Sequence, residues 1–113
     1  MKTIGIVCAM RSELAHILER LKDAREQKVG LYTFHIAEHG GKQVVAVLCG
    51  IGKVNAAACT QMLISVFHVD CVINSGVAGA LSERLRIMDI VVARDVMHHD
   101  LSSAFLAGDY FPG

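Results

Sequence analysis

Short runs of apolar residues recur along this chain, and each predicts a buried β-strand. They occupy residues 3–8, 43–49, 71–74 and 87–93. A further run, residues 29–37, alternates in part between apolar and polar side chains and is followed by Gly40 and Gly41. Because this short glycine turn joins it to the run at 43–49, the two runs are predicted to form a β-hairpin.

Two longer stretches have the periodicity of helices. Within residues 11–22 the apolar residues are spaced i, i+3, i+4 and i+7, which predicts an amphipathic helix; they are Leu14, Ile17, Leu18 and Leu21. Residues 54–67 are rich in alanine and apolar around most of the helical surface, which predicts a helix buried on most sides. Strands alternating with helices predict an α/β fold with a mixed central sheet flanked by helices.

Three short segments follow predicted strands and carry residues suited to ligand binding. They are Ala9–Glu13, Gly50–Lys53 and Ser75–Gly79. In open α/β sheets, ligands bind beyond the carboxyl ends of the strands. The sequence therefore predicts a small-molecule site where these segments meet.

Glu13 is the strongest candidate for chemistry. A buried strand leads directly into the first turn of a helix, and Glu13 lies in that turn. Backbone amides and the helix dipole favour a negative charge there, so the carboxylate stays ionised and can accept a proton from water or face a developing cation. The alternative is a solvated carboxylate that only stabilises the start of the helix.

The glycines that follow the strands predicted at 43–49 and 71–74 are less specific indicators of a ligand site. Gly50 and Gly52, like Gly76 and Gly79, either allow backbone amides to approach a ligand or form ordinary tight turns. Their spacing is neither that of a dinucleotide-binding fingerprint nor that of a phosphate-binding loop. Lys53 and Ser75 fit a helix-start surface residue and a turn residue, respectively.

Composition limits the possible functions. The chain has 113 residues, of which 53% are hydrophobic, enough for one small folded domain with a core. Eleven basic residues balance eleven acidic ones, which argues against nucleic-acid or anionic-membrane partners. No apolar run approaches the ~20 residues of a membrane span, and the start lacks signal-peptide features, so we expect a cytoplasmic location. The four cysteines are predicted to be reduced and buried.

The last part of the chain offers two further interpretations. His98, His99 and Asp100 could bind a metal, but adjacent histidines in a strand point to opposite faces, which disfavours one compact site. The aromatic tail, which includes Phe105 and Pro112, either completes the local core or contacts a second subunit.

Three ordered motifs resemble the bacterial 5′-methylthioadenosine/S-adenosylhomocysteine nucleosidases. They read Ile4-Gly5-Ile6-x-x-Ala9-Met10-x-x-Glu13, Cys49-Gly50-Ile51-Gly52-Lys53-Val54 and Asn74-Ser75-Gly76-Val77-Ala78-Gly79. The resemblance covers essentially the whole chain but only about half of the family's length. We therefore expect residues 1–113 to be the N-terminal portion of a single nucleosidase-like α/β domain, as a truncated product or fragment that is incomplete at its C-terminus.

The resemblance implies a nucleoside-phosphorylase type of fold and hydrolysis of the N-glycosidic bond of thio-substituted adenosines, with no cofactor and no metal. Glu13 would deprotonate the attacking water. The substrate-binding residues would be Met10 near the ribose, Ile51 and the Val77-Ala78-Gly79 segment around the nucleoside, and Phe105 and Pro112 across a homodimer interface. The partners implied are an adenine nucleoside and a second copy of the chain, without nucleic acid or membrane.

The chain departs from the family at three positions. Val77 stands where the family often has serine, Met88 where it usually has glycine, and Arg11 where it often has an acidic residue. In the family, the second half supplies the acid that protonates adenine and the carboxylate that binds the ribose hydroxyls. Loss of acid catalysis alone costs about 10²–10⁴-fold. We therefore expect little hydrolysis by this chain alone, and self-association through exposed apolar surface.

Two other functions are compatible with the sequence. A nucleoside phosphorylase would use phosphate in place of water and would need cationic and backbone ligands for it. A non-catalytic binding or assembly module would keep the pocket walls without turnover. Phosphate dependence and nucleoside binding distinguish these possibilities.

Overall fold

A computed structural model describes residues 1–100 of the chain, which divides into two compact units, Met1–Gly79 and Ala80–Gly113. The first unit contains a five-stranded sheet and two helices. In chain order its elements are β1 (Thr3–Cys8), α1 (Arg11–Leu18), β2 (Arg25–Val29), β3 (Tyr32–His39), β4 (Lys42–Leu48), α2 (Lys53–Ser65) and β5 (Cys71–Asn74). The predicted mixed α/β sheet is confirmed.

The sheet has the strand order β2-β3-β4-β1-β5, with β1 parallel to both of its neighbours. Two backbone hydrogen bonds continue this pairing past the strand ends. The Cys49 N–H donates to the Cys8 carbonyl at 2.9 Å, and the Ser75 N–H donates to the Val7 carbonyl at 3.0 Å. The carboxyl ends of β1, β4 and β5 therefore lie side by side, as predicted.

The hairpin between β3 and β4 is also confirmed, but its first strand begins at Tyr32 rather than at residue 29, because Gly30, with a φ of 59°, lies in a turn between β2 and β3. Its two turn residues, Gly40 and Gly41, have φ values of 56° and 70°, the left-handed region that a two-residue type I′ turn requires. β2, which pairs antiparallel with β3, was missed from the sequence. Its residues are Arg-Glu-Gln-Lys-Val, largely polar and exposed or half-buried, so no apolar alternation marks them as a strand.

The core consists of two apolar clusters. In one, Cys59 and Leu63 of α2 pack with sheet residues such as Val7 and Val45. In the other, Leu14 of α1 and the nearby Leu21 pack with Cys8, Val44 and Ala46. Burial of these side chains between helix and sheet supplies most of the driving force for folding.

Both predicted helices differ in detail from the structure. α2 is not buried on most sides, because only Cys59 and Leu63 are buried and Val54 is 83% exposed. It packs one stripe, which includes Cys59 and Leu63, against the sheet. α1 ends at Leu18 rather than at residue 22. The Arg20 N–H bonds to the Ile17 carbonyl three residues back, and the Leu21 N–H is shared between the carbonyls of Leu18 and Ile17.

The strand predicted at 87–93 is wrong. Residues 80–100 contain no strand, and Ile87, Ile90 and Val92 are at least 90% exposed. A β-strand exists only where a neighbour completes its hydrogen-bond ladder, which an apolar run cannot show by itself. Met88 has a φ of 75°, in the left-handed region that favours glycine, which places backbone strain there.

The cysteines are all free, but only three are buried. Cys8, Cys49 and Cys59 lie in the core, whereas Cys71 is exposed, contrary to prediction. Cys71 begins β5, which has one neighbouring strand in the described sheet and is covered on fewer sides. Burial raises the pKa of Cys8 to about 11, with a contribution from the Glu13 charge, and burial raises the pKa of Cys59 to about 11.

Among residues 1–100, none of the helices has the length and apolar character needed to cross a lipid bilayer.

Titration with Ellman's reagent at pH 8 should detect one fast-reacting thiol in the native chain and four after denaturation. The reason is that thiolate formation and access are both suppressed at the buried cysteines. Cys71→Ser should remove the fast phase. A fast phase that survives this substitution would show that the core opens readily around Cys8, Cys49 or Cys59.

Candidate functional site

Glu13 is held by the backbone at the start of α1. The residue before the helix, Met10, is extended, with φ −122° and ψ 151°, and its thioether provides no oxygen to cap the helix. Glu13 reaches back instead: its Oε2 accepts hydrogen bonds from the N–H groups of Met10 at 2.9 Å and Ala9 at 3.0 Å. The carboxylate thus occupies the positive end of the helix.

The loop after β5 closes on the same carboxylate. The Val77 N–H donates to Glu13 Oε1 at 3.1 Å, a contact between residues 64 positions apart. Gly76 lies so close that a Cβ built on it would be 2.8 Å from Glu13 Oε1. Three backbone N–H groups from two strand ends therefore converge on one side chain.

These hydrogen bonds set the charge of Glu13. The bond from Met10, followed by that from Val77, lowers the pKa of the Glu13 carboxyl below its ordinary value of 4.5; desolvation opposes them, and the Ala9 bond adds to the lowering. Bonds that stabilise the charged form favour ionisation. Glu13 is consequently a carboxylate at neutral pH, fixed in orientation and partly open to solvent.

A cavity of about 520 Å³ adjoins Glu13 within the first unit. Its volume falls in the ~300–1,000 Å³ range of small-molecule sites. The polar part of the lining includes Glu13, Ser75, His16, Arg20 and His39. The apolar part is formed by Ile6, Ile17, Leu21, Val44 and Val77. An apolar wall with a few polar groups is the usual form of a small-molecule site.

The structure brings some of the predicted site residues together. Glu13 and Val77 are in direct contact, and Met10 donates its N–H to Glu13. Ile51 is 78% exposed in the loop after β4 and is not among the residues that line the cavity.

The remaining predicted site residues have less structural support. Ala78 and Gly79 are exposed beyond Val77 and are likewise absent from the lining. Phe105 and Pro112 lie outside the described residues. The substrate-binding roles of these residues remain predictions.

Several residues at the site were not singled out from the sequence. His16 lies three positions after Glu13 in α1, so helical spacing would have found it, whereas Arg20 lines the cavity from the turn that follows the helix. The importance of Gly76 is evident only from the short distance between its Cβ position and the Glu13 carboxylate. His39, at the end of β3, also lines the cavity.

The turn after β4 accounts for its own glycines. Gly50 and Gly52 have φ values of 87° and 104°, and the Asn55 side-chain amide donates to the Ile51 carbonyl at 2.8 Å. Other residues strongly disfavour these φ values, so the glycines are required by the turn whether or not a ligand approaches it.

The histidines near residue 100 form no compact metal site. The Nδ1 atoms of His98 and His99 each lie 3.9 Å from Asp100 Oδ1. Over residues 1–100 there is no group of three or more His, Cys, Asp or Glu side chains placed to hold a metal ion.

Comparison with known proteins is consistent with this geometry. The family model for the phosphorylase superfamily matches residues 3–113. A 5′-methylthioadenosine/S-adenosylhomocysteine nucleosidase of Treponema pallidum is 46% identical over 99 residues, which are 88% of this chain and 36% of that protein. One of Maridesulfovibrio salexigens is 41% identical over 110 residues, covering 97% of this chain and 47% of that protein.

Solved structures agree in fold. S-adenosylhomocysteine nucleosidase from Streptococcus pyogenes, in complex with 5-methylthiotubericidin, matches with a TM-score of 0.87 and 35% identity over 96% of this chain and 46% of its own. The Colwellia psychrerythraea nucleosidase, in complex with adenine, matches with a TM-score of 0.86 and 41% identity over 95% of this chain and 44% of its own.

The chain thus spans about half the length, or less, of the relatives it matches. Fold and sequence agree over nearly all of this chain, which confirms the resemblance found in the three motifs. The chain belongs to the phosphorylase superfamily, in which it is similar to the 5′-methylthioadenosine/S-adenosylhomocysteine nucleosidases.

Proposed function

We propose that this chain carries the water-activating part of an N-glycosyl hydrolase site that acts on 5′-methylthioadenosine and S-adenosylhomocysteine. The observation that carries the proposal is the Glu13 carboxylate, held ionised by three backbone N–H groups beside a cavity of about 520 Å³. The names of the relatives, and the adenine and nucleoside analogue in the solved structures, supply the substrate class.

In this reaction a water molecule transfers one proton to Glu13 while its oxygen bonds to the anomeric carbon of the ribose. The bond from that carbon to the adenine nitrogen breaks, its electron pair leaves with adenine, and the leaving base takes up a proton from the general acid that the family's second half would supply. The products are adenine and a thioribose. Because the transition state resembles a ribosyl cation, a fixed negative charge nearby stabilises it.

The low pKa of Glu13 is compatible with this role. A carboxylate stabilised by three N–H groups is a weak base, which would be a disadvantage against an ordinary water molecule. Water bonding to a carbocation, however, becomes strongly acidic, so a weak base suffices late in the reaction. The hydrogen bonds therefore keep Glu13 negatively charged and make it a weaker base.

The rest of the proposed site follows the family resemblance. Met10 would contact the ribose, Ile51 and the Val77-Ala78-Gly79 segment the nucleoside, and Phe105 and Pro112 a neighbouring subunit's pocket in a homodimer. We further propose that residues 1–113 are the N-terminal portion of a single domain, that the protein is cytoplasmic and serves methionine salvage, and that this chain alone hydrolyses little substrate. The acid that protonates adenine would come from the family's second half.

Phosphorolysis is a second candidate, favoured by one observation. Arg20 and His16 line the same cavity as Glu13, and arginine is a frequent phosphate ligand. An enzyme that uses phosphate would need such groups near the anomeric carbon, whereas a hydrolase needs a base for water. The carboxylate at the end of β1 favours hydrolysis.

Calorimetry with two ligands tests the role of Glu13 without requiring turnover. The chain should bind an iminoribitol analogue, whose protonated ring nitrogen mimics the ribosyl cation, more tightly than neutral 5′-methylthioadenosine. Glu13→Gln should reduce this preference about tenfold, because the charge that attracts the cationic ring is removed. Glu38→Gln, which changes an exposed carboxylate of β3 that does not line the cavity, is the control.

An unchanged preference in Glu13→Gln would contradict the proposal and favour a non-catalytic binding module. Adenine release by the chain should be about 10²–10⁴-fold slower than by a full-length relative. Cleavage that requires added phosphate would instead establish phosphorolysis.

Acid unfolding tests the ionised state of Glu13. Its folded pKa is lowered, so its stabilising effect is fully present above the ordinary value of 4.5 and is lost as the pH falls through the folded pKa. The difference in urea midpoint between the native chain and Glu13→Gln should therefore narrow below pH 4.5. A difference that stays constant from about pH 7 to pH 3 would contradict this assignment.

A further inference from the structure

We propose that Gly76 is a positioning residue for Glu13, and that the Gly76–Val77 peptide leaves Oε1 as the one carboxylate atom able to accept a proton. Only the source of that proton, a water molecule, rests on the proposed function. The positioning itself rests on the contacts among these residues.

The hydrogen bonds to Glu13 are unequally divided between its two oxygens. Oε2 accepts from both Ala9 and Met10, whereas Oε1 accepts, among the donors in residues 1–100, only from Val77. A carboxylate has about four acceptor positions, two on each oxygen. Oε2 is therefore saturated, and the single open position is on Oε1, the oxygen that faces the loop after β5.

Gly76 fixes where Oε1 lies. A Cβ at this position would be 2.8 Å from Oε1 and 3.2 Å from the carboxyl carbon of Glu13. The φ of Gly76 is not in the left-handed region, so the backbone alone would accept another residue there. Glycine leaves free the space that the carboxylate occupies, so a side chain at this position would displace the end of the Glu13 side chain.

The sheet makes this contact reproducible. Asn74 is in register with Val7, and the Ser75 N–H bonds to the Val7 carbonyl at 3.0 Å. Gly76 and Val77 follow immediately, before the chain can diverge from β1. Any side chain at position 76 must displace either the carboxylate or this peptide, and both movements break the bond from Val77 to Oε1.

Other titratable groups surround Glu13 and must be separated from it in a test. Cys8 at the end of β1 and Cys49 after β4 interact with its charge. His16 of α1, Arg20 in the turn that follows α1, and His39 of β3 line the same cavity. The Glu13 side-chain carboxyl carbon reports its own proton, so its chemical shift separates Glu13 from these neighbours.

The experiment is an NMR titration of the labelled chain from neutral pH into the acid range, following the Glu13 carboxyl carbon and the Val77 amide proton. In the native chain the chemical shifts of both nuclei should change with pH around the same midpoint. Glu13→Gln should abolish the pH-dependent shift of the Val77 amide proton. Gly76→Ala should raise the Glu13 midpoint and remove the Val77 amide from the titration. Gly79→Ala, where a Cβ meets nothing within 4 Å, is the matched control and should change neither.

Identical titrations in Gly76→Ala and Gly79→Ala would overturn the proposal. If Gly76→Ala prevents folding, the double variant Glu13→Ala with Gly76→Ala should fold as the single variant Glu13→Ala does, because the clash with the Glu13 side chain is removed. A double variant that stays unfolded would also overturn the proposal. The ligand preference described above is independent of these readouts, so failure of the proposed function and failure of the positioning role are distinguishable.

Discussion

Parallel pairing of β1 with both β4 and β5 is the constraint on which the site depends. Parallel strands direct their carboxyl ends to the same edge, and the hydrogen bonds from Cys49 and Ser75 carry this alignment one residue past the strands. The first turn of α1 and the loop after β5 therefore meet without long connecting segments. The α1 and α2 sides of the sheet are held by separate apolar clusters, which keep the strands in register.

Electrostatics then defines what this edge can do. Glu13 is stabilised by dipoles of the main chain rather than by a positively charged side chain. Main-chain amides are fixed by the sheet and helix, so they cannot reorient when charge changes during a reaction, which is the meaning of preorganisation. The cost is low basicity. A weak base is sufficient for a reaction with a cationic transition state, but it would be too weak to remove a proton from an ordinary carbon acid.

The local patterns of the sequence were sufficient for much of this arrangement. The apolar runs located β1, β4 and β5, and the change from strand to helical spacing placed Glu13 in the first turn of α1. What failed was non-local. β2 is polar because it lies at a sheet edge, the run at 87–93 has no partner strand in residues 80–100, and α2 is apolar on sides that are exposed. The contact between Gly76 and Glu13 depends on strand register, which composition does not encode.

The bond between Val77 and Glu13 has a consequence for the order of folding. It closes a loop of 64 residues, and contacts between distant residues form late because closing a long loop costs entropy before it gives any stabilisation. Helix α1 and the β3–β4 hairpin can form from neighbouring residues, but the carboxylate cannot be fully fixed until β5 has joined the sheet. During synthesis, the chain therefore acquires its ordered Glu13 only after residue 77 has become available, well after the residue itself was made.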